Sequence, residues 1–173
     1  MKQLRILFVL FYPLLSFSQK DEVEWKKHSN SKFSISYPEN WLLDLTGQYN
    51  AEFFLFSEKE GEEDQFIENI NLMIQDLKGL GIDLKEYTDI TVKQVKEMLT
   101  NGELVENKTI TKNGKSYQRL SYTGIQNEMD IYFLQYFWVV KEKAIILTFV
   151  SETSTLTEYE KTAEQIMNSF EVK

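Results

Sequence analysis

LVENKTITKNGKSYQRLSYTG, residues 104–124, holds two extended segments on either side of Asn113-Gly114. Asn-Gly accepts the positive φ that both central residues of a type I′ turn require, so residues 104–112 and 116–124 form an antiparallel hairpin. Further along, residues 129–140 read as a long strand with apolar residues on both faces. Lys141-Glu142-Lys143 turns the chain, and residues 144–150 return as another apolar strand. Strands that are apolar on both sides belong in the middle of a covered sheet. Short turns between neighbours make that sheet mostly antiparallel.

Outward from this meander, the helical period appears on both sides. Gly79 and Gly81 punctuate the chain, and Asp83 with Glu86 reads as a capping box. Leu84, Tyr87, Thr91, Val95 and Met98 then recur at helical spacing, which predicts one amphipathic helix ending near residues 100–102. Thr155 and Glu158 read as a second capping box. After it, Leu156, Tyr159, Ala163, Ile166, Met167 and Phe170 form a stripe expected to face the core.

The N-terminal third is extended. Residues 25–28 suit a short strand. Phe33, Ile35 and Tyr37 alternate with Ser34 and Ser36, the pattern of a half-buried strand. Pro38-Glu39-Asn40 is a turn, and residues 41–45 are extended again. Phe53-Phe54-Leu55-Phe56 suits a strand buried on both faces; in residues 66–77, Phe66, Ile70, Leu72 and Ile74 share one face, with Asn69, Asn71 and Gln75 on the other beside Ile67 and Met73. The expected class is therefore α+β: an antiparallel sheet sandwiched between helices, α/β/α, in one domain over residues 32–173.

The chain before that domain has a different character. Met1, Lys2 and Arg5 precede an apolar run over residues 6–15, and Ser16-Phe17-Ser18 supplies small residues for a peptidase. Residues 1–18 read as a secretory signal peptide cleaved before Gln19. The run is too short to span ~30 Å of hydrocarbon. Residues 19–31 form a polar lead. The expected location is exported, periplasmic or secreted, with no stable membrane insertion after cleavage. Loss of Lys2 and Arg5 moves the formal net charge from −8 to −10. So acidic a chain repels phosphate, which argues against nucleic-acid partners.

Composition also limits the chemistry. With no cysteine and one histidine, thiol catalysis, disulfides and zinc sites of Cys and His are excluded. His28 lies in the polar lead, and no Gly-x-Ser-x-Gly elbow accompanies it. Gly79-Leu80-Gly81 has Leu84 where a phosphate-binding fingerprint needs its third glycine. No catalytic residue and no cofactor are expected. Two residue groups remain as candidates. The acidic loop Glu58, Glu60, Glu62, Glu63 and Asp64 could hold calcium or another cation, though its spacing matches no EF-hand. The aromatics Tyr117, Tyr122, Tyr132, Tyr136 and Trp138 lie on adjacent predicted strands and could line a binding surface.

Phe33-Ser34-Ile35-Ser36-Tyr37-Pro38-Glu39-Asn40-Trp41 resembles the opening of PsbP-like domains: an aromatic, an alternating strand, Tyr-Pro, a short turn and Trp. The long aromatic strand, short turn, apolar strand and final helix ending in Ser169-Phe170 are similar to that family's last third. The resemblance covers residues 32–173 and implies the α/β/α sandwich. It carries no single function. Plant members support oxygen evolution, a distant relative binds the Ran GTPase, and many bacterial members are exported proteins of unknown role. No residue here matches a functional position of the family. The resulting expectation is a non-catalytic exported accessory module with a protein partner. The alternatives are a cation-binding module using residues 58–64 and, behind it, a carboxylate-based hydrolase.

Overall fold

A computed structural model describes residues 23–62 and 64–173. The signal-peptide reading of residues 1–18 lies outside them, as does the candidate Glu63. Ten strands and two helices follow one another: β1 (Trp25–Ser29), β2 (Phe33–Pro38), β3 (Leu42–Asp44), β4 (Phe53–Phe56), β5 (Asn69–Asp76), α1 (Leu84–Met98), β6 (Thr100–Lys112), β7 (Lys115–Gln126), β8 (Met129–Val140), β9 (Lys143–Glu152), α2 (Leu156–Asn168) and β10 (Glu171–Val172). A 3₁₀ turn, Gln48–Asn50, stands between β3 and β4.

The expected hairpin is present, with Asn113 at φ 53° and Gly114 at φ 74°. Two further turns in the meander use the same left-handed backbone without glycine: Asn127 and Glu128 between β7 and β8, and Lys141 and Glu142 between β8 and β9. The four strands β6 to β9 therefore run as consecutive antiparallel neighbours. β5 joins β9, and β4 and β3 follow, giving a seven-stranded antiparallel sheet in the order β3-β4-β5-β9-β8-β7-β6.

The helices cover opposite faces of this sheet. On one face α1 lays Val95 over Leu120, Tyr122 and Phe137. On the other, Ala163, Ile166 and Met167 of α2 meet Leu134, Tyr136, Leu147 and Phe149 in the main core. Asp83 caps α1 as expected, its carboxylate accepting from the Glu86 N–H at 2.8 Å. The second capping box does not form. Thr155 has no side-chain bond to the first turn of α2. Its backbone is helical (φ −100°, ψ −4°) rather than the extended form that aims a cap oxygen at the first turn, and its hydroxyl donates to Glu68 at 2.6 Å.

Two strands exchange the burial expected of them. β2 stands in a separate three-stranded sheet, β1-β2-β10, laid against the main core. Ser34 is as buried as Phe33, so β2 is covered on both faces rather than one. The Ser36 N–H donates to Ser169 Oγ at 2.8 Å, which ties the serine-bearing side to the end of α2. β4, expected to be covered on both faces, buries only Phe53 and Leu55. Phe54 and Phe56 face away from the core, stacked on each other at 5.4 Å. The cause is the short reach of α1. It packs on β6, β7 and β8 and meets β5 where Tyr87 donates to Gln75 at 2.9 Å, which leaves β3 and β4 without an α-helix above them; there Tyr49 of the 3₁₀ turn lies edge-on to Phe54 at 6.2 Å.

Candidate functional site

Antiparallel register sorts the aromatic candidates by face. Tyr117 on β7 and Tyr136 and Trp138 on β8 point to the α2 side and come together. Tyr117 lies 5.2 Å from Tyr136 and 5.1 Å from Trp138, centroid to centroid, and Trp138 lies 5.4 Å from Phe170. These rings line a pit of about 210 Å³ at the end of α2, floored also by Met167 and edged by Lys112, Lys115 and Lys173. Burial raises the Tyr117 phenol above its ordinary pKa, reinforced by Tyr136. Phe170 follows the helical stripe read from the sequence. The lysines carried no signal beyond flanking the Asn113-Gly114 turn.

Tyr132 shares that face but belongs elsewhere. It borders a polar hollow with Arg119, Ser121, Glu106 and Glu160. Arg119 forms ion pairs with Glu106 and, at 2.5 Å, with Glu164 of α2. Burial acts to lower the Arg119 pKa, but Tyr136 and Glu164 beside it outweigh that and hold it above the usual value. The guanidinium thus stays charged and pins β6 and β7 to α2. Tyr122 lies on the opposite face, stacked on Phe133 at 4.8 Å. Burial pushes its phenol up to about 12. The five candidates therefore split into a cluster of three, one residue in an ionic hollow and one under α1.

The acidic loop does not converge on a point. Glu58, Glu60 and Glu62 are exposed. Asp64 turns inward and accepts from the backbone N–H groups of Glu60 (3.1 Å) and Phe66 (3.0 Å), so its carboxylate closes the loop. Among the described residues no group of three or more Asp, Glu or His stands close enough to hold a metal ion. The buried acid nearby is Glu68, fully covered at the start of β5. It accepts from Thr155 at 2.6 Å and Ser57 at 3.5 Å. Burial raises its pKa, partly offset by the Thr155 hydrogen bond and helped by the charges of Glu60 and Asp64. Sequence reading passed over Glu68 because nothing marks a lone Glu at a strand edge as buried.

A further surface emerged only from the register. Leu42, Phe56, Asn69, Val150 and Phe133 are cross-strand partners in sequence along one row of five strands. The adjoining row runs Asp44, Phe54, Asn71 and Thr148, so a single carboxylate, held by the Thr46 N–H and the Gln48 amide, closes it at the β3 edge. Leu42 is 68% exposed, and Phe54 and Phe56 are half-buried. Met73, 42% exposed, opens toward a groove of about 560 Å³ between the sheet and α1. In a chain with 27% charged residues, Asp44 is the one charge in these two rows, and Leu42, Phe54 and Phe56 form an apolar patch at their β3–β4 end.

An antiparallel sheet thus lies between two helices, with an aromatic pit on the α2 side and a partly open face on the α1 side. The PsbP-like protein family matches residues 15–172, and the chain belongs to that family. The fold is shared with cyanobacterial PsbP (CyanoP) from Synechocystis, at TM-score 0.62 and 15% identity over 94% of this chain and 100% of that one. It is shared also with LpqN of Mycobacterium tuberculosis, a protein involved in cell envelope biogenesis, at TM-score 0.67 and 14% identity over 94% and 98% of the two chains. A Pseudomonas aeruginosa protein of unknown function matches at TM-score 0.60 and 14% identity, over 84% of this chain and 94% of that one. No curated protein matches the sequence.

Proposed function

We propose that this chain is an exported, non-catalytic accessory module that binds a protein partner through the open half of its large sheet. The carrying observation is the uncharged row Leu42, Phe56, Asn69, Val150 and Phe133, which runs from an exposed Leu42 through half-buried residues to Phe133 at the margin of the α1 cluster. Apolar patches on soluble proteins mark places where another surface docks. Leu42 and Phe56 sit directly opposite each other on β3 and β4, so their side chains present one continuous contact. Export rests on the signal-like residues 1–18, and the envelope role of LpqN is in keeping with it. Among the described residues no helix is long and apolar enough to cross a membrane.

A photo-crosslinking amino acid placed at position 56, with Lys93 on the outer side of α1 as a control position, tests this in the native cells. The reading expects one discrete crosslinked protein at position 56, absent at position 93 and lost when Leu42→Asp is added. Fractionation of the same cells reads out export. Equal crosslinking at both positions, or a chain retained in the cytoplasm, would overturn the proposal.

A further inference from the structure

The pit at the end of α2 lies on the other side of the sheet from the proposed partner face and combines an aromatic floor with a cationic rim. In its floor Trp138 lies against both Tyr117 and Phe170. Its rim is cationic. Lys112 Nζ donates to the Asn168 carbonyl at 3.2 Å, and Lys115 Nζ donates to the Val172 carbonyl at 3.0 Å. Lys173 Nζ donates to Ser29 Oγ at 2.7 Å. An ammonium carries three donors, so Lys112 and Lys115 keep donors free beyond those contacts.

Acidic residues outnumber basic ones in the chain, 27 to 19. Even so, none of these three lysines forms an ion pair among the described residues. Glu171 is the one side-chain carboxylate on the rim. The Tyr117 hydroxyl and the Trp138 indole N–H make no side-chain hydrogen bond to described residues, and neither is a fully buried orphan. A volume of about 210 Å³ falls below the ~300 Å³ where sites for drug-sized molecules begin. It has room for one ring and a short chain. The lysines cap carbonyls at the end of α2 and in β10, which alone explains their presence but not the aromatic hollow they surround.

We propose that this pit is a binding site for a small aromatic carboxylate. Its ring lies on the Tyr117–Trp138–Phe170 surface and its carboxylate meets Lys112 and Lys115. Stacking supplies the apolar contact, and the ammonium groups select the anion through charge-assisted hydrogen bonds.

The test is a calorimetric titration of the purified chain with four probes that separate ring from charge: 3-phenylpropionate, 3-phenylpropan-1-ol, phenethylammonium and propionate. The proposal expects 3-phenylpropionate to bind and the other three to bind at least ~tenfold more weakly, the loss that one missing charge-assisted hydrogen bond or the ring implies. It expects the double variant Lys112→Gln/Lys115→Gln to lose that preference for the acid over the alcohol. Both lysines are exposed, so the variant keeps its fold, and a purely helix-capping role would shift its melting temperature without altering the ratio between acid and alcohol. Raised salt should weaken the acid and leave the alcohol unchanged. Equal affinity for acid and alcohol, undiminished binding by the double variant, or no binding of 3-phenylpropionate up to its solubility limit would each overturn the assignment.

Discussion

Glu68 and Ser169 show how single side chains hold this molecule together. Ser169 Oγ accepts from the Ser36 N–H and donates back to the Ile166 carbonyl at 2.6 Å, joining the small sheet to the end of α2. Glu68 is a carboxylate whose ionised form is disfavoured by burial, so its folded pKa stands above its ordinary one. Between those two values the folded chain holds a proton that the unfolded chain releases. Stability therefore climbs as pH falls through that window and is level below it. Glu68→Gln keeps an acceptor for Thr155 and removes the charge. Urea midpoints measured from about pH 8 down to about pH 4 should show the variant more stable at the upper end. The gap should close on acidification. A gap that stays constant would mean the Glu68 charge is not penalised by folding. Neither residue's role was legible in the sequence. Ser169 stood next to a recognisable Phe170, but its partner lies 133 positions away.

At the scale of elements, the meander was legible where the chemistry of a turn is local. Asn113-Gly114 announces its backbone. Asn127-Glu128 does not, because Glu has no preference for positive φ, yet Glu128 adopts φ 68°. Left-handed backbone costs a non-glycine residue ~1–2 kcal/mol, and glycine gives back ~0.4–1 kcal/mol in unfolded-state entropy. Glu128→Gly should therefore stabilise the protein by roughly 0.5–1 kcal/mol, read as a higher denaturant midpoint at unchanged slope. A lower midpoint would show that the side chain, not the turn, governs this position. The failed capping box at Thr155 has a similar lesson. Spacing identified the residue, but its backbone enters the helix in the αR rather than the extended conformation, which aims the hydroxyl away from the first turn. Its bond to Glu68, 87 positions away, leaves no trace in a ten-residue window.

The whole molecule couples its two sheets through aromatic contacts. Phe170 lies 5.8 Å from Phe33 of the small sheet and 5.4 Å from Trp138 of the large one. Phe170→Ala should cost ~3–5 kcal/mol while unfolding remains a single transition, because both sheets share one core. Two separate calorimetric transitions in the variant would show that the small sheet holds only through this ring. Fold class and helix faces followed from periodicity; that Tyr117, Tyr136 and Trp138 gather while Tyr122 and Tyr132 part from them did not, because it depends on the strand register. Nor did the second sheet and the bare face over β4: the first rests on β10 pairing with β2, more than 130 positions away, and the second on where α1 comes to lie across the strands, and neither is encoded in a local pattern.

The rims of the large sheet carry a consequence of their own. At one border β6 pairs with β7 through two register shifts, at Thr100/Glu103 and Leu104/Glu106, and at the other β3 is three residues long. Bulges distort a strand's free hydrogen-bonding groups, and a stub offers few of them. The regular stretch of β6, residues 106–112, instead sets Glu106, Lys108 and Lys112 along its free edge, charges that resist an incoming strand and so discourage crowded copies from zipping into ribbons.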